Sequence, residues 1–470
     1  MGERVEFIAE GMKNAIFTIN TTDGVAKVIR VRKKKIQEKN KKILQVESEV
    51  KFYESLRQMI GEKYFLPIEC IELDKNFEKA IEVALDEAKN KRSERFIKST
   101  ETDKNQKKTI LMENHTLAKP VEFEEIKHNI FCIEIKPKSG KITKEILNFL
   151  NEENKRKIKN QLCNYCLRQL LKLKVGDVQT QSGYCPAELF SLQTDKVKNA
   201  ILNLLKNPQN NYKMFYNGEL VYTGALGCGN DEDLVIHNLD ELNTFLTNNL
   251  FYEKLKQNKN TQKNEETEYF INLITEIILK EKELLLKIKE IIEKDRYSIK
   301  IVEPLYKKLI SQDEKIFDDL YNYCLFPQPS DFVEITTSQI EKENYLIFNF
   351  NEIDKFSEEL IQVAFKIIKD FLLSTTMKDC SIMLTLVIPY EFKSPFSCTP
   401  SNPTWSYLHF NKIHDNLIES EYFYLNYRLT IIDTDFKSPE NIPSYAKLDN
   451  EIMDNAILLS DTFPLRNCNE

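Results

Sequence analysis

Two lysines, Lys136 and Lys138, stand on either side of Pro137 directly after the apolar run 131–135. Because side chains alternate between the two faces of a strand, a strand that continued this far would place both ammonium groups on one side. Pro137 lacks the N–H group with which a neighbouring strand would pair. Like charges held together are costly unless an anion lies between them, so this stretch predicts a phosphate site. An edge strand whose lysines discourage aggregation is the alternative.

Two further positions hold carboxylates where an element ends. Asp379 follows a helical pattern over 356–375 and precedes an apolar strand, so it is either a turn residue or a catalytic group. Asp433 and Asp435 follow the apolar strand 429–432. A carboxylate at the end of a buried strand is costly unless a cation meets it, and magnesium is the natural candidate. A strand end that simply reaches solvent is the other interpretation.

The beginning of the chain predicts a hairpin-rich sheet, with apolar strands at 4–8, 15–19 and 25–31. The turn at Gly11 between the first two strands can lay backbone N–H groups over phosphates, although an ordinary hairpin explains the same residues. Arg30, on the third strand, could reach beneath that turn and grip a phosphate.

Beyond this sheet, a helix over 46–57 carries Glu47 and Glu49, either of which suits an ion pair with a strand cation. The apolar strand 109–112 leads into Glu113, Asn114 and His115, a pattern typical of a hinge between two lobes.

Four longer helical segments position the remaining candidates. They are predicted over 153–174, where Arg168 and Lys172 share a face, from the turn at 182–191 through 205, and over 269–294 and 356–375. Asn217 and Gly218 predict a hairpin turn after the second of these helices. A polar linker at 257–266 precedes the third.

Composition limits the possible classes of protein. The 470 residues are 41% hydrophobic and 30% charged, which is typical of a globular chain with a sizeable core. The formal net charge is −7, yet basic residues crowd 30–42, which favours one anion site over general nucleic-acid binding. The sequence predicts no membrane span and no signal peptide, so we expect an intracellular protein of the cytoplasm or nucleus.

The ten cysteines show no paired spacing and predict reduced thiols. Cys163 and Cys166 form one close pair inside a predicted helix, but no second pair stands at zinc-site spacing. We therefore interpret them as core thiols rather than metal ligands.

Four motifs together resemble the inositol pentakisphosphate 2-kinase family. Residues 134–138 are similar to its Glu-x-Lys-Pro-Lys signature, and 378–383 match its Lys-Asp-Cys-Ser-Ile-Met run without a change. Residues 208–211 match its Pro-Gln-Asn-Asn, and 184–191 depart mildly from its Tyr-Asp-Pro-Leu-Asp-Leu-Phe-Ser. The similarity runs from Gly11 almost to Tyr445 and Asp449.

This resemblance implies an α/β (α+β) bilobal kinase-like fold. Its N-lobe, an antiparallel nucleotide-binding sheet, would span 1–117, and its larger C-lobe would span 118–470 with a helical insertion at about 257–330. The implied reaction uses ATP and Mg²⁺ to phosphorylate the 2-hydroxyl of inositol 1,3,4,5,6-pentakisphosphate. We further expect a monomer that binds neither nucleic acid nor membrane.

The resemblance also implies a role for each matching residue. Asp379 would be the general base, and Asp433 and Asp435 would bind magnesium. The nucleotide site would comprise Gly11, Met12, Lys13, Asn14, Arg30, Glu113, Asn114, His115, Glu134, Lys213 and Asp433. The clamp for the inositol phosphate would comprise Arg95, Lys136, Lys138, Arg168, Lys172, Asn210, Asn211, Lys437 and Tyr445.

The chain departs from the family pattern at four places. Asn164 and Asn441 stand where arginines are expected, and Arg168 stands where a histidine is common. Between 300 and 330 the only cysteine is Cys324 and there is no histidine, so the plant-type zinc site is missing. We therefore predict no structural zinc.

Three other functions compete with this one. A protein kinase is disfavoured because the chain lacks a His-Arg-Asp loop, an Asp-Phe-Gly motif and a three-glycine loop. A kinase of a less phosphorylated inositol phosphate remains open, and so does a pseudokinase or scaffold that only binds a polyphosphate. Asp379 and Asp433 speak against mere binding, because carboxylates repel an anionic ligand.

Overall fold

The computed structural model describes most of the chain, in two antiparallel sheets and the helices packed against them. The described residues are 5–11, 13–20, 25–36, 44–92, 94–120, 128–141, 153–224, 238–250, 265–328, 331, 336–389, 404–412, 421–459 and 467–468.

The first sheet is built from the amino-terminal strands, in the order β1-β2-β3-β6-β4, with β5 paired to the end of β3. Its strands are β1 (Val5–Glu10), β2 (Asn14–Asn20), β3 (Ala26–Lys35), β4 (Ile68–Glu72), β5 (Thr100–Thr102) and β6 (Lys108–Glu113). This confirms the predicted hairpins. Alternating apolar residues bury one face of the sheet, including Phe17, Ile19, Ile29 and Val31.

Two cations of the basic run after Arg30 make ion pairs within the protein. In its described part, Arg32 pairs with Glu49 at 2.7 Å, as predicted for the helix that follows. Lys33 pairs with Glu10 at 2.5 Å, and both side chains are almost fully buried. Since a buried charge must be paired, these cations stabilise the sheet and are not available to a ligand. Residues 37–43 lie outside the described residues.

The second sheet has the order β11-β12-β10-β7-β8-β9 and is also antiparallel. Its strands are β7 (His128–Ile135), β8 (Tyr212–Tyr216), β9 (Glu219–Thr223), β10 (Ser381–Pro389), β11 (Ser406–Lys412) and β12 (Glu421–Ile432). β7 is a nearly continuous apolar run because it is covered on both faces. Asn217 (φ 48°) and Gly218 (φ 92°) form the predicted turn between β8 and β9.

Helices surround both sheets. They are α1 (Val46–Ile60), α2 (Lys75–Glu87), α3 (Glu94–Ser99), α4 (Glu153–Gln161), α5 (Asn164–Lys174), α6 (Pro186–Phe190), α7 (Thr194–Lys206), α8 (Leu239–Asn249), α9 (Glu265–Lys280), α10 (Lys282–Glu293), α11 (Ser298–Ile310), α12 (Glu314–Leu325), α13 (Thr337–Asn349), α14 (Glu358–Asp379) and α15 (Ile442–Leu459). No described helix is long and apolar enough to cross a membrane.

Two predicted helices are each divided in two. The segment 153–174 breaks at Leu162 and Cys163 into α4 and α5, and Cys163 is the extended residue that precedes α5. The predicted turn at 182–191 contains the short helix α6, and α7 is the helix predicted to continue through 205. The segment 269–294 breaks at Glu281, whose buried carboxylate bonds to Lys63 and Tyr427. Apolar spacing continues across each break, so the pattern alone did not reveal them.

The two sheets meet through a pair of charged side chains. Arg428 on β12 donates two hydrogen bonds to Glu113 at the end of β6, at 3.0 and 3.1 Å. Arg428 is 1% exposed, and its guanidinium lies over the Trp405 ring at 4.6 Å. The two antiparallel sheets, together with the helices around them, make the fold mixed α+β, as predicted.

Candidate active site

Three neighbouring strands of the second sheet bring polar groups to one edge. β7 and β12 flank β10, and Ser381 at the start of β10 lies opposite Ile432 at the end of β12. The Ser381 hydroxyl lies 2.8 Å from Glu134 Oε1 and 3.1 Å from Asp433 Oδ2. The sheet register thus joins a carboxylate of β7 to the carboxylate that follows β12.

Lys136 bridges the same two acidic groups, since its Nζ lies 3.3 Å from Glu134 and 3.3 Å from Asp433. Lys213 on β8 lies 3.6 Å from the other Glu134 oxygen. Burial by itself would raise the pKa of Glu134, but these two lysines lower it to about 2. Glu134 therefore stays ionised and holds both lysines in place.

Lys138 reaches the site by a route that differs from the predicted one. β7 ends at Ile135, and Lys138 takes a left-handed conformation with φ 57°, so strand alternation does not align it with Lys136. Its Nζ lies 3.6 Å from Asp379 Oδ1. Tyr184 donates a hydrogen bond to the Pro137 carbonyl at 2.7 Å and fixes this turn.

Asp379 is the last residue of α14, at the predicted corner between helix and strand, and its side chain is 46% exposed. Lys437 donates a hydrogen bond to its Oδ2 at 2.9 Å. Burial opposes ionisation, but the positive charges of Lys437 and Lys138 outweigh it and lower the pKa of Asp379 to about 2. This carboxylate is held between two ammonium groups.

A group of cations lies beside Asp379. Burial and the charges of Arg168 and Lys138 lower the pKa of Lys172 to about 8. Burial, partly offset by Asp379, lowers the pKa of Lys138, and Lys136 and Arg168 lower it further. Lys172 also donates a hydrogen bond to Gln209 at 3.2 Å. Neighbouring cations thus disfavour the charged forms of Lys172 and Lys138, an arrangement that a bound anion would relieve.

Arg30 and Asp435 form a second charged centre. The guanidinium of Arg30 bonds directly to Asp435 Oδ1, and Lys13 lies 3.9 Å from Asp435 Oδ2. With its amide oxygen turned toward Arg30, Asn14 accepts two further hydrogen bonds at 2.6 and 2.9 Å. Burial would raise the pKa of Asp435, but Arg30 and Lys13 bring it well below its usual range.

An apolar pocket adjoins this centre and draws its walls from both sheets. Its lining residues include Ile16, Val28, Ile110, Met112, Phe215, Met383 and Ile432. Arg30, Asp433 and Asp435 also line it, so the pocket opens on the charged groups just described. An apolar pocket that ends in a few polar groups is the usual form of a small-molecule site.

The predicted hinge residues take different positions. Asn114 and His115 line the pocket, whereas the carboxylate of Glu113 turns to Arg428. His115 is buried against Thr430, with 3.0 Å between its Nδ1 and the hydroxyl oxygen. Burial, with a smaller effect of Arg428, lowers the pKa of His115 to about 3, so its ring is neutral.

The structure also locates the other predicted residues. Gly11 lies in the exposed turn between β1 and β2 and accepts a hydrogen bond from Lys33. Asn210 is exposed, but Asn211 is buried and donates to the Tyr165 hydroxyl at 3.0 Å. Tyr445 is near Lys437, whose charge partly offsets the rise in the tyrosine pKa that burial causes.

Two predicted residues lie outside the described part of the chain. They are Met12 and the side chain of Arg95, whose backbone belongs to α3.

Sequence reasoning missed two features of this site. Ser381 belongs to a matched motif, but only the strand register shows that it joins Glu134 to Asp433. Gln209 supports Lys172 and is itself held by Gln169 at 2.8 Å. Its left-handed backbone, with φ 48°, gives no recognisable signal in the sequence.

Comparisons with known proteins agree with the motifs. A family model described as inositol-pentakisphosphate 2-kinase matches residues 7–451. An inositol-pentakisphosphate 2-kinase of Oryza sativa subsp. indica is 28% identical over 346 residues, which cover 73% of this chain and 63% of that protein. One of Arabidopsis thaliana is 26% identical over 322 residues, covering 68% and 58%.

A third relative, from Danio rerio, is 40% identical over 92 residues, which are 20% of this chain and 18% of that protein. The chain thus spans less than two thirds of the length of the plant relatives it matches.

Proposed function

Because the chain belongs to the inositol-pentakisphosphate 2-kinase family, we propose that it transfers the γ-phosphoryl group of ATP to the 2-hydroxyl of inositol 1,3,4,5,6-pentakisphosphate. The product would be inositol hexakisphosphate. The observation that carries the proposal is the meeting of Asp379 with Lys138 and Lys437. Nearby, burial and the charges of Arg168 and Lys138 lower the pKa of Lys172.

The cations beside Asp379 suit a substrate with many phosphates. Lys136, Lys138, Arg168, Lys172 and Lys437 come from three segments of the chain, so they can surround a ligand instead of contacting one side of it. Each phosphate that enters would neutralise repulsion already present in the free protein, and charge-assisted hydrogen bonds to phosphate are among the strongest. Asn210 and Tyr445 would complete the clamp.

Asp379 would accept the proton of the attacking hydroxyl. In the free protein its pKa of about 2 makes it a weak base, because Lys437 and Lys138 stabilise its charge. A bound polyphosphate would draw both lysines toward its own oxygens. The carboxylate would then lose part of that stabilisation and become a stronger base in the presence of the substrate.

The apolar pocket would hold adenine between the two sheets, and Arg30 would bind the ATP phosphates. Asp435 and Asn14 keep the guanidinium aimed at the mouth of this pocket. Phosphoryl transfer needs mainly fixed geometry and charge stabilisation, which such a rigid cation can supply.

The donor set at Asp433 fits magnesium, which prefers carboxylate oxygens. Asp433 is 46% exposed on its side chain and lines the mouth of the pocket. Bound there, Mg²⁺ would neutralise charge on the phosphates of ATP. Asp435 fits this role less well, because Arg30 and Lys13 already contact its two oxygens.

The wider architecture belongs to the same proposal. The two sheets, with a pocket walled by both, support a bilobal kinase-like arrangement whose lobes divide near residue 117. A monomer in the cytoplasm or nucleus that binds neither nucleic acid nor membrane is consistent with a site built for a small polyanion.

The test is an assay of the purified protein with ATP, Mg²⁺ and a panel of inositol phosphates. We expect the pentakisphosphate with a free 2-hydroxyl to be the best substrate and the hexakisphosphate to be the product, identified by chromatography and NMR. A higher kcat/KM for a less phosphorylated substrate would show that the clamp accepts fewer phosphates, and the assignment of the substrate would be wrong. Tight binding without turnover of any substrate would favour a scaffold.

A further inference from the structure

Three charged side chains form a buried network behind the turn that joins β1 to β2. They are Glu10 at the end of β1, Lys33 on β3, and Arg92, which lies between α2 and α3. Only 3% of the Glu10 side chain and 1% of the Lys33 side chain are exposed, and Arg92 is 14% exposed. We call this group the turn network. It lies directly beside Gly11, which begins the turn.

Lys33 orients two peptide groups of this turn. Its ammonium Nζ donates a hydrogen bond to the Gly11 carbonyl oxygen at 2.8 Å. Its backbone N–H donates a hydrogen bond to the Lys13 carbonyl oxygen at 2.6 Å. The Gly11 N–H completes the turn by donating to the Asn14 carbonyl oxygen at 2.8 Å. The backbone bonds are those of an ordinary hairpin, so the bond from the Lys33 side chain is the unusual contact.

Strand alternation places this bond on the side of the sheet that faces away from the candidate active site. Lys33 and Arg30 are three residues apart on β3, so their side chains project from opposite faces. Arg30 lines the apolar pocket. Lys33 shares the face of Ile29 and Val31, which pack in one core with α2. A carbonyl oxygen aimed at a phosphate would repel it, so turning the Gly11 carbonyl to the far face leaves the turn open to an anion.

Glu10 and Arg92 keep the Lys33 ammonium in place. Glu10 Oε2 accepts a hydrogen bond from Lys33 Nζ at 2.5 Å, and the two Glu10 oxygens accept from Arg92 Nε and Nη2 at 2.9 and 3.0 Å. The same ammonium lies 4.6 Å from the centre of the Phe96 ring. Burial lowers the pKa of Lys33, and the Glu10 carboxylate opposes this effect. A carboxylate, a carbonyl oxygen and an aromatic ring thus hold the ammonium from three sides.

From this geometry we propose that Lys33 is a positioning residue for the nucleotide, which keeps the turn at Gly11 in the conformation that accepts the ATP phosphates. The inference rests on the proposed kinase function, in which those phosphates lie between this turn and Arg30. Lys33 contacts no phosphate itself and acts through the Gly11 backbone. Phosphoryl transfer depends on fixed geometry, so a preset turn supports both binding and reaction.

A purely structural role for the turn network would give a different result. If the network only stabilised the first sheet, loss of Lys33 would lower the affinity for every ligand of the nucleotide site by the same factor. If Lys33 orients the turn, only the affinity for ligands that carry phosphates should fall. Adenosine, which fills the pocket but has no phosphate, distinguishes the two roles.

The test compares K33M with the unaltered full chain. Methionine keeps most of the buried stem but cannot donate a hydrogen bond to Gly11. Calorimetry with Mg²⁺ measures the dissociation constants of adenosine and ATP. We expect that of ATP to rise by about 10-fold, because the phosphates must then order the turn, and that of adenosine to stay the same. In the kinase assay, KM for ATP should rise and KM for the inositol phosphate should not.

K34M is the matched control. Lys34 is the next residue of β3 and pairs with Glu101 at 3.3 Å, with 38% of its side chain exposed. Its loss should leave the dissociation constant for ATP unchanged. K33R should restore most of the affinity for ATP, because a guanidinium can still donate to both Gly11 and Glu10.

E10Q keeps the inference testable if K33M folds poorly. The amide has the shape of the carboxylate but holds the Lys33 ammonium more weakly. We expect a smaller rise in the dissociation constant for ATP than in K33M, again with no change for adenosine. An equal loss of affinity for adenosine and ATP, in either variant, would reduce the turn network to a structural role.

The inference also fails if K33M binds ATP as tightly as K34M does. Calorimetry is done without an acceptor substrate, so an error in the proposed inositol phosphate would leave these comparisons unchanged. An unaltered protein that binds no ATP would overturn the kinase function and, with it, this inference.

Discussion

Asp379 combines two properties that a catalytic base needs, partial exposure and a place among the cations that would hold the substrate. Its carboxylate contacts Lys138 and Lys437 and so occupies ammonium groups that would otherwise be free for phosphate. Removal of this carboxylate should therefore slow the chemical step without weakening the binding of the polyphosphate.

For D379N we expect kcat to fall by about 10²- to 10⁴-fold, because the amide cannot accept the proton. The dissociation constant for the hexakisphosphate should stay the same or decrease, since two lysines are released toward the ligand. Enzyme kinetics and calorimetry measure these two quantities. D454N, at an exposed carboxylate, is the control. An equal loss of binding and turnover would contradict the role of Asp379 as the base.

Lys172 gives the site a characteristic pH dependence. Since its pKa is lowered to about 8, it loses its charge as the pH rises above that value, whereas an ordinary lysine stays protonated to about 10.4. We expect kcat/KM for the inositol phosphate to fall above pH 8. K172R should keep its charge and shift this fall to higher pH.

The lowered pKa of Lys172 also makes the stability of the fold depend on pH. Between pH 8 and about 10.4 the unfolded chain binds the proton of Lys172 more tightly than the folded chain does, so its contribution to folding becomes more favourable as pH rises. If kcat/KM of K172R falls over the same pH range as kcat/KM of the unaltered protein, Lys172 is not the titrating group.

At the scale of elements, the contact between Glu113 and Arg428 joins β6 of the first sheet to β12 of the second. E113Q would leave Arg428, which is 1% exposed, with a weaker neutral partner. We expect the free energy of unfolding to fall by about 2 kcal/mol, as measured by urea denaturation.

E94Q is the matched control, because Glu94 pairs with Lys98 at the surface of α3, where both side chains are 75% exposed. It should leave the urea midpoint unchanged, since water and salt screen such pairs. If E113Q and E94Q have the same effect, Arg428 does not depend on this partner.

Elements formed by local pattern could be predicted from the sequence. Alternation identified β1, β2, β3 and β6, and the Asn217–Gly218 turn identified β8 and β9. The helix break at Glu281 escaped prediction because its carboxylate bonds to Lys63 and Tyr427, both remote in sequence. Local pattern does not reveal such partners.

The candidate site shows the same limit. The convergence of Lys136 and Lys138 was expected, but the assumed cause was wrong, because β7 ends before them and Lys138 turns left-handed. The pairing of Arg30 with Asp435 depends on how two sheets meet, which no spacing encodes. Motif resemblance identified most of these residues, but the residues that they contact are seen only in the structure.

For the whole molecule, the main electrostatic feature is a cationic site in a chain of net charge −7. Repulsion within that site is present before any ligand binds, so a polyanion should stabilise the fold. At 100 times its dissociation constant, inositol hexakisphosphate should add about 2.7 kcal/mol to the free energy of unfolding.

Thermal unfolding with and without the hexakisphosphate measures this gain. K138M and K172M should reduce it, and 1 M salt should weaken it, because the Debye length falls to about 3 Å. Uncharged inositol serves as the control ligand. The site is misassigned if the hexakisphosphate leaves Tm unchanged, or if both variants respond as fully as the unaltered protein does.

The register that joins Glu134, Ser381 and Asp433 has a consequence for biosynthesis. β7, which carries Glu134, is made early, whereas β10 and β12, which complete the set, leave the ribosome much later. The first sheet can therefore form on a nascent chain that still lacks the acidic groups beyond residue 380. Translation that stops before β12 would release a product without these acidic groups, so on the proposed function only chains that have been read through this strand would carry the complete site.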